Sequence, residues 1–191
     1  MKKLALLSLL AVAGALPSSA LAAEKPVKAA ADVATAETLP ESGLPSEWIQ
    51  GDALKKFDKG TVYVFEFWAT WCGPCIQAMP HMEELHKGIK DPKKVRIVGI
   101  CVMDNAPADK ITAILKSKAV TYAIARDGRG GPAATRWLNP LEVRGIPHAI
   151  AVKDGKILWQ GHPMGLNADM LKQWSKPGFK PAKPAAKSKG K

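Results

Sequence analysis

Cys72 and Cys75 stand at the end of an apolar run, "EFWATWCGPC", with only Gly73 and Pro74 between them. Two thiols at this spacing can exchange dithiol for disulfide, supply half of a metal site, or close a structural staple. A staple gains little here, because so short a loop removes little entropy from the unfolded chain. A structural zinc site needs four ligands, and the other candidates are His81, His86, His148 and His162. His81 and His86 are five apart and do not share a helix face, whereas His148, beside Pro147, could approach the sulfurs in a two-thiolate, one-imidazole copper site. For exchange, the requirement is a thiolate. Cys72 at the cap of a helix would have its thiolate stabilised by unpaired amides and the positive end of the dipole. Cys75, one helical turn deeper, could reach the sulfur of Cys72 while being shielded from solvent. Cys72 would then attack and Cys75 would resolve, with Gly73 and Pro74 suiting the tight helical entry.

Positioning that pair requires a strand leading into a helix. The segment 61–68, "TVYVFEFW", is β-branched, aromatic and almost continuously apolar, as a central strand covered on both faces should be. A helix over 73–88, bent at Pro80, should follow. A second strand is predicted over 95–103, "VRIVGICVM", then a helix over 107–119 with Pro107 near its start. A short strand at 121–125 and a helix at 132–138 come next. "IPHAIAVKDGKILWQG" reads as a hairpin about Asp154-Gly155, and a last helix over 167–174 has Asn167 as its cap. Strands interleaved with helices predict an α/β fold with a mixed sheet. The glycines of "DGRGGP" have no phosphate-binding fingerprint around them and read as a loop.

The ends of the chain differ in composition. Lys2 and Lys3 precede an apolar stretch over 4–16 and then "PSSALAA", the pattern of a signal peptide cut after Ala22. That apolar stretch falls short of the roughly 20 residues that cross a bilayer. Residues 23–46 read as a flexible linker and 176–191, "KPGFKPAKPAAKSKGK", as a disordered tail, which leaves 47–175 as one domain. Of the net charge of +11, two units are Lys2 and Lys3 and six are lysines of the tail, so the domain itself is only weakly basic. It has no basic stripe interleaved with aromatics, and nucleic acid is excluded as a partner. The count of three cysteines is odd, so at least one thiol is free or paired between molecules. Cys101, mid-strand, reads as a buried apolar-like thiol, the alternative being a third redox cysteine.

"FEFWATWCGPC" followed by Pro80, and "GIPHAIAVKDGKILWQG" about 70 residues beyond the pair, resemble the thioredoxin superfamily, in particular its secreted TlpA-like or ResA-like thiol-disulfide oxidoreductases. The resemblance covers roughly residues 48–174. It implies a thioredoxin-like fold whose extra helix and strand lie within 107–138, ahead of a cis proline at Pro147 that faces the cysteine pair. It also implies that the backbone of Ile146 pairs with an extended substrate, with Trp71, Gly73 and Pro74 beside it. Trp71 would cover the site, or else pack in the core. Glu66 falls where family members bury an acid that relays a proton to or from the resolving thiol. A solvated strand face is the other reading, and the lysine that often pairs with this acid on the neighbouring strand is replaced here by "GICV" over 99–102. Ile76 and Ala78 depart from the basic and acidic residues common at their positions, which leaves partner specificity open. The expectation is a periplasmic, monomeric enzyme exchanging disulfides with protein thiols, most simply as a reductant recharged by a membrane electron donor. No metal or organic cofactor is needed. A disulfide-forming oxidant recharged by a membrane acceptor, and a copper-handling protein, are the alternatives.

Overall fold

The computed structural model describes residue 35 and residues 37–179. The predicted signal peptide, most of the predicted linker and residues 180–191 of the predicted tail lie outside the described residues.

The first strong strand, β2 (Val62–Trp68), is buried at all seven positions, which is why its sequence does not alternate. It runs parallel to β3 (Val95–Val102), and β3 runs parallel to β4 (Ala123–Gly128). On its other side β2 pairs antiparallel with β5 (His148–Lys153), which turns through Asp154 and Gly155 into β6 (Lys156–Gly161). Both turn residues have positive φ, 51° and 74°, the conformation that a two-residue hairpin loop demands and that Asp-Gly supplies. With β1 (Glu47–Gln50) at the outer edge of β4, the sheet order is β1-β4-β3-β2-β5-β6. β1 escapes the sequence reading because one exposed and three half-buried residues carry no alternation. It is held instead by its antiparallel ladder to β4 and by the Gln50 amide, which donates to the carbonyls of Val120 and Tyr122 at 3.0 and 2.8 Å.

One face of the sheet is covered by α1 (Gly73–Lys87), α2 (Ala108–Ser117) and α3 (Ala168–Trp174). Their Met79, Met82, Ile111, Leu115, Leu171 and Trp174 pack on Val62, Val64 and Trp68. Asn167 caps α3 as expected, accepting from the Met170 amide at 3.0 Å. The opposite face carries Tyr63, Phe65, Phe67, Ile150 and Val152 under Trp137 and Leu138. Those last two belong to a wide turn, Ala134–Leu138, rather than the regular helix predicted over 132–138. The Asp127 carboxylate accepts from the amides of Ala133 and Ala134, both at 2.9 Å, and the turn closes from Asn139 N–H to Ala134 O across five residues.

Two boundaries are corrected. The linker over 23–46 does not extend to 46, since Leu39 is buried, its N–H donates to Gly155 O, and Trp137 Nε1 donates to Pro40 O at 2.7 Å. Gly43 lies so close beneath Trp137 that a Cβ there would stand 2.0 Å from the indole. Composition hides this segment because backbone bonds and one apolar side chain, not a periodic face, fasten it. The tail is likewise not free from 176 onward. Lys153 Nζ reaches across to donate to Trp174 O and Lys176 O, and Phe179 packs against the core.

Candidate active site

Cys72 is the cap of α1, in extended conformation, with Pro74 in the first turn. The two sulfurs are bonded at 2.09 Å, and the Cys75 amide points at Cys72 Sγ from 3.3 Å. One amide of the first helical turn is thus aimed at the sulfur that would carry charge once the pair is reduced. Cys75 is fully buried, whereas Cys72 retains a small accessible edge between exposed Trp71, Gly73 and Pro74. Trp71 is 59% exposed, so the core-packing reading of it is wrong. Across the pair, the Ile146–Pro147 peptide bond is cis, and Ile146 O lies 3.8 Å from Cys72 Sγ. A disulfide sulfur has no proton to donate, so this is a close approach rather than a hydrogen bond. Cys72, Cys75, Trp71, Gly73, Pro74, Ile146 and Pro147 are therefore brought together at one surface.

Glu66 lies deeper. It faces the layer of α1, is 0% exposed, and sits opposite Gly99 on β3 and Ala149 on β5. The solvated-face reading is excluded. The missing lysine does not leave the carboxyl alone, because Tyr122 donates its hydroxyl to Glu66 Oε2 at 2.7 Å. Oε1 accepts no hydrogen bond from any described residue. Burial raises the carboxyl to about 7, against the opposing pull of the Tyr122 hydrogen bond. Tyr122 could have been suspected from Gly99, a residue without a side chain in an apolar strand directly beside a buried acid.

Asp104 is a second residue that sequence reasoning missed. Just beyond β3, it accepts from the Thr70 amide at 2.7 Å and the Ala106 amide at 2.9 Å. Burial pushes its carboxyl up, but the bonds from Thr70 and Ala106 outweigh that and hold it below its ordinary value. It fastens the segment immediately before Cys72. Asp104→Ala should cost about 1–3 kcal/mol, the usual penalty for orphaning a buried donor, read as a lower urea midpoint at neutral pH. An unchanged midpoint would mean that Thr70 finds another acceptor.

Cys101 is fully buried, and burial together with Asp104 pushes its thiol up to about 12. It has neither the access nor the acidity of a redox cysteine, as the apolar-thiol reading expects. The histidines do not assemble with the sulfurs. His148 lies on the opposite layer, its ring 6.5 Å from that of Phe67. His81 Nε2 lies 3.0 Å from Leu166 O, and His162 accepts from the Met164 amide. Among the described residues no three His, Cys, Asp or Glu side chains are grouped to hold a metal.

A profile of the Redoxin family matches residues 34–164. Protein FixW of Rhizobium leguminosarum is 30% identical over 121 residues, 60% of this chain and 54% of its own. The thiol-disulfide oxidoreductase ResA of Bacillus cereus strain ATCC 10987 is 33% identical over 106 residues, 55% of this chain and 56% of its own. The chain spans about half the length of these two relatives. The crystal structure of StoA from Bacillus subtilis superposes with a TM-score of 0.53 at 20% identity, covering 69% of this chain and 95% of that one. At that identity the likeness concerns the fold, which is thioredoxin-like.

Proposed function

The chain belongs to the Redoxin family, and from that premise we propose that it is a thiol-disulfide oxidoreductase that reduces disulfides in client proteins. The observation that carries this reading is the Cys72–Cys75 disulfide at the start of α1, with Cys72, the more exposed of the two residues, facing the Ile146 carbonyl ahead of a cis proline. The relatives named as thiol-disulfide oxidoreductases support it.

In the reductive direction, the Cys72 thiolate attacks one sulfur of the client disulfide, and the other client sulfur leaves as a thiolate. Cys75 then gives its proton to Glu66, attacks Cys72 Sγ, and releases the second client sulfur. Two electrons have passed to the client, and the pair is left as the disulfide. Ile146, whose carbonyl lies beside Cys72, aligns an extended client segment, and Trp71, Gly73 and Pro74 form the exposed rim against which it rests. A dithiol donor at the membrane restores the pair. No metal or organic cofactor enters the cycle. The dibasic, apolar and small-residue pattern over 1–22 supports export to the periplasm, where the protein would act as a monomer.

The test is the reduction potential of the pair in Cys101→Ser protein, read by the alkylation mass shift after equilibration in defined dithiol buffers. A value near thioredoxin's, about −270 mV, is expected; one near that of the oxidant DsbA, about −120 mV, would reverse the direction. A pair that does not equilibrate at all would overturn the exchange reading.

A further inference from the structure

We propose that Tyr122 is a positioning residue for Glu66: its hydroxyl reaches the carboxyl through the gap left by Gly99 and sets the pH at which Glu66 takes the proton of Cys75. The inference rests on the exchange reading above and extends it to a residue outside the cysteine motif.

The geometry has three parts. Glu66 on β2 stands in register with Gly99 on β3. A Cβ on Gly99 would lie 2.6 Å from Ile124 Cδ1 and 3.1 Å from Tyr122 Cε2, so a side chain there would crowd both Ile124 and the edge of the phenol ring. The phenol is also held from both sides of its own backbone. Gln50 donates to Tyr122 O at 2.8 Å, while the preceding Thr121 gives its amide and hydroxyl to the Glu83 carboxylate at 2.7 and 2.6 Å. Three separate elements, β1, α1 and β3, therefore converge on placing one hydroxyl 2.7 Å from one buried carboxyl oxygen.

The chemistry follows from what the hydroxyl can do. A neutral O–H donates more strongly to a carboxylate than to a carboxylic acid, so it favours the charged form against burial. Tyr122 keeps its own proton throughout, because burial and the Glu66 charge push its phenol far above the ordinary range. The other titratable groups around the pair are on α1. Glu83 is engaged by Thr121 and Lys87. The His86 ring stands edge-on to that of Tyr122 at 6.0 Å, and Cys75 belongs to the same apolar layer as Tyr122. β3 and β5 present Gly99 and Ala149 opposite Glu66, neither of which titrates.

The experiment follows thionitrobenzoate release when reduced full-length Cys101→Ser protein meets 5,5′-dithiobis(2-nitrobenzoate), over pH 5 to 9. The first release reports attack by Cys72 and the second reports resolution by Cys75. The second rate should rise through an inflection near 7, the value to which burial raises Glu66. In Tyr122→Phe that inflection should move up by about one pH unit, the size of one hydrogen bond to a charged group. The second rate should then fall about tenfold below the inflection, with the first rate unchanged. In Glu66→Gln the inflection should vanish, and adding Tyr122→Phe should do nothing more. If Glu66→Gln abolishes the inflection but Tyr122→Phe leaves it in place, the role of Tyr122 is overturned and the exchange reading stands. If the wild type shows no second release, or Glu66→Gln keeps the inflection, the proton-acceptor reading falls and this inference with it. Where Tyr122→Phe does not fold, 3-fluorotyrosine in the intact chain decides by fluorine resonance. There are two tyrosines, and the Tyr122 signal should titrate near 7 while that of Tyr63, which bonds Asp58 on the other face, does not. A flat Tyr122 signal would overturn the proposal.

Discussion

Cys75→Ser protein is expected to accumulate a covalent mixed disulfide with a client protein through Cys72, while its turnover falls to the uncatalysed rate. The two cysteines differ in what surrounds them. Cys72 has an accessible edge and the Cys75 amide aimed at its sulfur, so replacing the second thiol leaves the attacking group and its thiolate stabilisation in place. Without Cys75 no internal thiol can break the bond that forms. Cys72→Ser should show neither turnover nor trapping, because Cys75 is fully buried and a client disulfide cannot reach it. Both variants are best made with Cys101→Ser, so that any adduct has a single origin. The check is a non-reducing gel of each variant incubated with a denatured, disulfide-containing protein, followed by release of the adduct with excess dithiol. Equal trapping by both variants, or trapping by Cys72→Ser alone, would reverse the assigned order of attack.

The cysteine pair could be read from the chain because its chemistry is local. A strand, a cap residue and a thiol one turn into the helix are neighbours in sequence, and their spacing states their geometry. The supports of the pair could not be read that way. Thr70 is held by Asp104, 34 residues on, and Glu66 by Tyr122, 56 residues on. Neither partner carries any periodic or motif signal of its own. Looking for a charged partner on the adjacent strand failed at Glu66 because the strand neighbour contributes space rather than a group. Gly99 is the visible half of that arrangement, and only the return of the chain through the α2–β4 connection supplies the other half. The predicted strand at 121–125 begins later, at Ala123, for the same reason: Thr121 gives its amide to Glu83. The hairpin at Asp154-Gly155, by contrast, was legible to the residue, since its turn requires two left-handed conformations in succession.

Glu66→Gln should make the oxidised protein more stable at pH 8 but change it little at pH 5. In the folded chain burial raises the Glu66 carboxyl from its ordinary 4.5 to about 7. Between those two values the folded state holds a proton that the unfolded state has released, so stability declines as pH rises across that window and levels off above it. The decline is about 1.4 kcal/mol per pH unit, or about 3 kcal/mol over the window. Glutamine keeps the shape and an oxygen to accept the Tyr122 hydroxyl, but it does not titrate. The other ionisable groups are common to both proteins, so the difference between their urea midpoints at pH 5 and pH 8 isolates this one group. Parallel stability curves would show that the carboxylate is compensated where it lies, and the buried-acid description would then be wrong. If the curves diverge as expected, the chain carries a charge that weakens its own core at neutral pH. A carboxyl tuned to about 7 is poorly suited to holding a fold together, but it is well matched to taking and returning a proton near neutrality. The loss of stability is what that matching costs.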